Sequence, residues 1–205
     1  PATETVVAVE IVKANIDLLR DYARLGGSPA LERMLNDPRY DLVIGDGRRE
    51  LLRDQEPFDV IYSDALRPTS SHSGLVYSRQ YFEQASARLA DNGLMVQWQP
   101  TERVLRTFQS VFPYVVRLGT VLIGGHKPVP FDRPAIVARL MAPETVDYLS
   151  AGGIDAPQLK ARIAKLEPER CGLGKHLVLD DINTDLFPRD EYYLNDRRVW
   201  KSLWW

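Results

Sequence analysis

Three carboxylates stand where strand-like runs give out. Glu10 follows Val6-Val7-Ala8-Val9, Asp46 follows Leu42-Val43-Ile44-Gly45, and Asp64 follows Phe58-Asp59-Val60-Ile61-Tyr62-Ser63. A carboxylate has two oxygens that accept hydrogen bonds, so an acid at the first of these places suits the two hydroxyls of a ribose diol. An acid after the next strand can accept from an adenine amino group, and the flanking glycine, Gly47, lets backbone come close to a ring. The third acid, Asp64, closes the third strand. Each acid alone also reads as a turn former or helix cap. Three at successive strand ends argue for a site, because ligands of open α/β sheets sit beyond the carboxyl ends of the strands.

The elements that must position these acids alternate. Thr5 to Glu10 reads as a strand, and Ile11, Ile16, Leu18, Leu19, Tyr22 and Leu25 fall near a helical repeat stopped by Gly26-Gly27. Ser28 is an N-cap candidate for a short helix to about Leu35. Tyr40 to Ile44 is a second strand, closed by Gly45-Asp46-Gly47 and followed by a helical Arg48 to Arg53. Phe58 to Ser63 is a third. An irregular stretch rich in Ser, Thr and Pro precedes a helix from Ser78, which Asp91-Asn92-Gly93 should end. Leu94 to Trp98 then forms a fourth strand, and Thr101 with Glu102 opens a helix to about Phe112. Four strand-then-helix units predict an α/β class with a Rossmann-like, mostly parallel sheet. Tyr114 to Leu118, Thr120 to Ile123 and Ala135 to Leu140 read as further strands, two of them an antiparallel pair at the sheet edge. Glu144 to Ser150 and Ala156 to Leu166 read as helices. The expected domains are therefore a Rossmann-like, adenosyl-cofactor-binding part over residues 1–142 and a helical extension with an aromatic tail over 143–205.

Composition bounds the partners. Of 205 residues, 26 are Lys or Arg and 28 are Asp or Glu, a net charge of −2 that announces neither nucleic acid nor an anionic membrane. The partner is expected to be a small molecule. The longest stretch free of charged side chains, Pro68 to Ser78, is polar and about half the roughly 20 apolar residues a membrane helix needs. A single cysteine, Cys171, cannot form an internal disulfide and points to a reducing, cytoplasmic setting. Pro1 is followed within a few residues by the first strand, without an initiator Met or signal-peptide core, which reads as a piece of a longer polypeptide.

The ordered run Val7-Ala8-Val9-Glu10-Ile11, Asp37-Pro38-Arg39-Tyr40, Val43 to Leu52, Phe58 to Asp64, Leu75 to Phe82 and Leu89 to Gln97 resembles the spermidine synthase (polyamine aminopropyltransferase) family over about residues 5 to 118. The resemblance implies a fold like that of class I methyltransferases. It also implies transfer of an aminopropyl group from decarboxylated S-adenosylmethionine to an amine acceptor, with no metal. By the same resemblance Glu10 holds the ribose and Asp46 the adenine, with Gly47 and Ser63 beside the cofactor. Asp64 is the catalytic acid that orients the attacking amine, and Arg67, Tyr77 and Gln97 border the acceptor. A homodimer and a membrane-transporter-like segment fused upstream are further expectations drawn from the family.

Two departures stand out. The family follows its catalytic acid with a second Asp that grips a diamine, whereas this chain reads Asp64-Ala65-Leu66-Arg67-Pro68. A guanidinium a few ångströms from a second ammonium repels it by roughly 1 to 4 kcal/mol, depending on the effective dielectric. Arg67 is thus expected to pair with Asp64 or to welcome an acceptor bearing a carboxylate. The family's first strand and its Gly-rich turn are also absent from the sequence, which should leave the sheet interrupted. The rival readings are a non-catalytic relative that keeps the fold as a binding or interaction module, and a small-molecule methyltransferase using S-adenosylmethionine.

The remaining motifs are weaker. Ser70-Ser71-His72-Ser73 places hydroxyls beside an imidazole, but adjacent loop residues rarely form a nucleophile and base, and a lid loop is the better reading. Cys171 and His176 lack two further ligands for zinc. Gly172-Leu173-Gly174-Lys175-His176 lacks the spacing of a phosphate-binding loop and reads as a turn. Trp200-Lys201-Ser202-Leu203-Trp204-Trp205 reads as a segment buried on its own domain, with a docking helix, a subunit contact or a membrane-interface anchor as alternatives.

Overall fold

The computed structural model describes residues 3–53, 56–63, 67, 70–172, 174 and 179–192. In chain order the elements are β1 (Val6–Glu10), α1 (Lys13–Arg24), α2 (Pro29–Leu35), β2 (Tyr40–Ile44), α3 (Gly47–Arg53), β3 (Phe58–Ser63), a 3-10 turn (Ser73–Val76), α4 (Arg79–Ala87), β4 (Leu89–Trp98), α5 (Glu102–Gln109), β5 (Tyr114–Leu118), β6 (Val121–Gly125), α6 (Arg133–Leu140), α7 (Pro143–Ala151), α8 (Ala156–Lys165), β7 (Glu169–Arg170) and α9 (Arg189–Tyr192). The class is α/β. Among the described residues, no helix is long and apolar enough to cross a membrane.

Two units divide the chain, Pro1–Arg53 with Asp132–Leu166, and Asp54–Phe131 with Glu167–Trp205. They interleave along the sequence, whereas the boundary expected at residue 142 cuts the chain once, between α6 and α7. The first unit contains a two-stranded parallel sheet, β1 with β2, in register from Val6 opposite Tyr40 to Glu10 opposite Ile44. Two of its helices, α2 and α8, start on capping side chains. Ser28 Oγ accepts from Leu31 N at 3.3 Å with Pro29 at the first helical position, and Asp155 Oδ1 accepts from Gln158 N at 2.9 Å.

The second unit contains the order β3-β4-β6-β5-β7, in which β3 and β4 are parallel and the remaining pairings are antiparallel. The second sheet is thus mixed rather than mostly parallel, and among the described residues the parallel pairings are β1–β2 and β3–β4. β5 and β6 are joined by Gly119-Thr120, and Gly119 takes φ +61°, as a two-residue hairpin turn with glycine first requires. The core of this unit is aromatic. Phe82 meets Phe108 edge to face at 5.0 Å between ring centroids, Phe108 meets Phe112 at 4.5 Å, and all three rings are inaccessible to solvent. Gly124 makes room for them, since a Cβ there would lie 2.5 Å from Phe108 Cε1.

Two expectations need correction. Residues 135–140 are not a strand but the body of α6. The β-branched pair Ile136-Val137 suggested extension, yet Asp132 Oδ1 caps the helix by accepting from Ala135 N at 3.0 Å, and Pro134 sits in its first turn. Asp91-Asn92-Gly93 does not separate α4 from the next strand either. β4 already starts at Leu89, and the three residues form a bulge within it, the register jumping from Phe58 opposite Leu89 to Val60 opposite Leu94. Glycine is needed there, because a Cβ on Gly93 would lie 2.7 Å from the carbonyl oxygen of Phe58.

Candidate active site

In the first unit the parallel pair β1–β2 delivers two acids to one sheet end. Glu10 is the last residue of β1, and its carbonyl accepts from Gly45 N at 3.1 Å, one residue before Asp46. Its half-buried carboxylate accepts from Val12 N through Oε1 at 2.7 Å, which fixes the side chain and leaves Oε2 for another donor. Asp46 is exposed and caps α3: Oδ1 accepts from Arg49 N at 3.0 Å and the main-chain carbonyl from Glu50 N at 2.9 Å. The helix-cap role open to any strand-end Asp is therefore filled here, with Oδ2 still available. A Cβ built on Gly47 would meet no heavy atom within 4 Å, so the backbone beside Asp46 is open to approach.

In the second unit the parallel pair β3–β4 brings Ser63 opposite Gln97. Ser63 is 9% exposed and Gln97 is wholly buried. Asp64, the next residue, lies outside the described residues, as do His176, Lys175 and the tail with Trp200, Trp204 and Trp205. Arg67 is exposed, and its carbonyl accepts from Ser70 N at 2.8 Å. Tyr77, at the end of the 3-10 turn, is fully buried, and its amide donates to Gly74 O at 3.2 Å. Glu10 and Asp46 thus share one sheet end, and Ser63 and Gln97 share another.

Sequence reasoning missed one feature of β4. The amides of Gln97 and Gln99 each have a fixed orientation, because Gln97 Nε2 donates to Trp98 O at 3.2 Å and Gln99 Nε2 to Glu102 Oε1 at 3.2 Å. Flipping either would set oxygen against oxygen. Both Oε1 atoms are buried and have no hydrogen-bond partner among the described residues. A buried acceptor without a donor costs about 1–3 kcal/mol, so this strand end suits a ligand or water that brings N–H or O–H groups. The signal for it was the alternation Gln97-Trp98-Gln99, which puts two amides on the face that Met95 buries.

A second missed feature is a charged cluster on α5. Arg103 pairs with Asp190 and, at 2.9 Å, with Asp181, while Arg106 and Arg189 reach Asp181 at 2.7 and 3.1 Å. Burial pushes the Asp181 carboxyl up, but hydrogen bonds from Arg103 and Arg189 outweigh it and hold it below its usual range. Cys171, half-buried, carries a free thiol that burial and the Glu169 carboxylate push up, so it is a poor nucleophile at neutral pH.

The spermine/spermidine synthase domain matches residues 1–119, more than half of the sequence. The chain belongs to that family. The polyamine aminopropyltransferase of Thermococcus onnurineus (strain NA1) is 31% identical over 93 residues, covering 45% of this chain and 31% of that protein. The chain spans about a third of the length of the curated relatives it matches. A spermidine synthase solved in complex with the transition-state analogue AdoDATO has a TM-score of 0.55 at 18% identity, covering 78% of this chain and 61% of that one. The spermidine synthase of Thermotoga maritima gives 0.52 at 17% identity, covering 78% of this chain and 60% of that one. These likenesses speak for the fold, that of a spermidine synthase. Within the family match fall Glu10, Asp46, Gly47, Ser63, Asp64, Arg67, Tyr77 and Gln97.

Proposed function

We propose that this spermidine-synthase family chain takes part in aminopropyl transfer from decarboxylated S-adenosylmethionine to a small amine acceptor. The observation that carries the reading is the pairing of Glu10 and Asp46 at one end of a parallel sheet, each with a carboxylate oxygen still open, inside the segment that matches the family. Glu10 holds the ribose diol, Asp46 accepts from the adenine amino group, and Gly47 borders the nucleoside. Asp64 orients the amine and takes its proton. The new bond joins the amine nitrogen to the propyl carbon, the carbon–sulfur bond breaks with its electron pair going to sulfur, and methylthioadenosine leaves. The sulfonium already activates the carbon, so no metal is needed for this step. Gln97 offers the buried acceptor described above, and Tyr77, buried at the end of the 3-10 turn, is the third residue assigned to the acceptor.

Arg67 is where this chain parts from the diamine-gripping pattern. Its guanidinium disfavours a second ammonium and favours an acceptor with a carboxylate. The test is release of methylthioadenosine from decarboxylated S-adenosylmethionine with putrescine and with amino-acid acceptors. Release with at least one acceptor is expected, more efficient with a carboxylate-bearing amine, and Asp64→Asn should lower the rate by at least about a hundredfold. Near-normal turnover in a folded Asp64→Asn protein would remove that residue from the reaction. Methyl transfer from S-adenosylmethionine without methylthioadenosine release would replace the reading altogether.

A further inference from the structure

Two consecutive acids near the end of the described residues reach two different loops. Asp190, 2% exposed, accepts from Thr101 Oγ1 at 2.7 Å and pairs with Arg103. Thr101 caps α5, the helix that follows β4, by accepting from Val104 N at 3.1 Å. Glu191 turns instead to the loop that follows β3. Its Oε1 accepts from His72 N at 2.9 Å and its Oε2 from Gly74 N at 3.2 Å. His72 holds a left-handed φ of 64°, a conformation that turns neighbouring amides into one concavity suited to an anion. The approach is close: a Cβ on Gly74 would lie 2.2 Å from Pro188 Cβ, so glycine is required for the two segments to pass.

From this turn a ladder of main-chain bonds runs back toward Arg67. Ser73 N donates to Ser70 O at 3.1 Å, and Ser70 N donates to Arg67 O at 2.8 Å. The carboxylate of Glu191 therefore grips the far end of a set of main-chain bonds whose near end is the carbonyl of Arg67, the residue that stands where the family has its diamine-gripping acid. Charge-assisted acceptors of this kind are the stronger class of hydrogen bond. The segment that supplies Glu191 is itself anchored, through Asp190 and Asp181, to α5.

We propose that Glu191 is a positioning residue for Arg67: by holding the 72–74 turn, its carboxylate sets the place of the guanidinium and hence the preference between acceptors. The proposal rests on the reading of Arg67 as acceptor-facing. It places in the working part of the protein a segment 119 positions downstream of the turn it holds.

The experiment compares wild type, Glu191→Gln and Glu191→Ala by hydrogen exchange and by steady-state kinetics with putrescine and an amino-acid acceptor. The amides of residues 70–77 should exchange about tenfold faster in Glu191→Ala and less so in Glu191→Gln, which keeps one carbonyl acceptor, while amides of β4 and β6 stay unchanged. The KM for the amino-acid acceptor should rise several-fold, and the ratio of efficiencies between the two acceptors should move toward one. The KM for decarboxylated S-adenosylmethionine should hold. A purely structural role would move stability and every KM together. Unchanged exchange at 70–77, or faster exchange with an unchanged acceptor ratio, overturns the proposal. If Glu191→Ala does not fold, Glu191→Gln carries the same comparison. If wild type transfers nothing to any acceptor, the proposed function fails on its own, and calorimetric binding of the two acceptors to wild type and Glu191→Gln still decides whether Glu191 acts on the preference.

Discussion

The two units of this chain spend similar amounts of apolar sequence to different effect. In the second, Phe82, Phe108, Phe112, Met95 and Leu122 are all shut off from solvent between a five-stranded sheet and its helices. In the first, a two-stranded sheet leaves Val7 and Ile44 exposed by 42% and 49%, and α1 turns Leu18 outward at 67%. Its fully or nearly buried apolar residues are few, Ile16 and Ala156 among them. The periodicity of both units is correct, so pattern alone does not decide burial. Strand number does: two strands offer too little surface to cover helices on either face, whereas three or more with a shared apolar face can close a core. Yet the strand ends carry polar groups in both, Glu10 and Asp46 in one and Ser63 and Gln97 in the other. Parallel pairing sets where such residues meet whether or not the core beneath them is well filled.

The sharpest way to break this comparison is to cut into the better core. Phe108 touches Phe82 on one side and Phe112 on the other, and Gly124 lies against it. Phe108→Ala should cost about 3–5 kcal/mol, read as a shift in the urea midpoint followed by circular dichroism. A loss under about 1 kcal/mol would mean that the aromatic cluster is not what holds the second unit together.

Much of this architecture could be read from the residues, and the exceptions share a cause. Ser28 before Pro29 and the acids after β1 and β2 act within a few positions of themselves, so a local reading finds them. Residues 135–140 look extended by their β-branched side chains, and only the cap from Asp132 together with Pro134 makes them helical. The bulge at Asp91-Asn92-Gly93 carries a turn signature that sheet pairing absorbs. Asp190 and Glu191 could not be read at all, because their partners Arg103 and His72 lie 87 and 119 positions away and nothing local marks either pair. At the candidate site the acids were legible as chemistry, but the orphan oxygens of Gln97 and Gln99 exist only once the strand is packed.

A middle-sized effect tests how the second unit's charged cluster contributes. Asp181 has its carboxyl held below the usual range by Arg103, Arg189 and Arg106 against the opposing effect of burial. A carboxyl whose folded pKa lies below its unfolded value, about 3.9, adds stability that is present above that value and lost as pH falls through the folded one. Stability should therefore decline below about pH 4, and Asp181→Asn should flatten that part of the curve. With 43% of its side chain exposed, Asp181 is screened, so the difference should stay under about 1 kcal/mol. Parallel pH profiles of the urea midpoint for the two proteins check it, and identical slopes would remove Asp181 from the acid response.

The smallest effect is expected where the first unit turns apolar side chains to solvent. Leu18 lies in the middle of α1, 67% exposed, while Ile16 two residues earlier is fully buried. Replacing Leu18 with Gln exchanges one good helix former for another and removes little buried surface, so stability read from the urea midpoint should change by no more than about 0.5 kcal/mol. Ile16→Ala on the same helix serves as the internal control, with an expected cost of about 2–5 kcal/mol. The pair thus asks whether burial or hydrophobicity decides the contribution of α1. A loss of about 2 kcal/mol or more for Leu18→Gln, approaching that of Ile16→Ala, would mean that this face of α1 is covered in solution. Sedimentation analysis of both variants would then show whether a second copy of the chain does the covering, because only in that case would the loss depend on protein concentration.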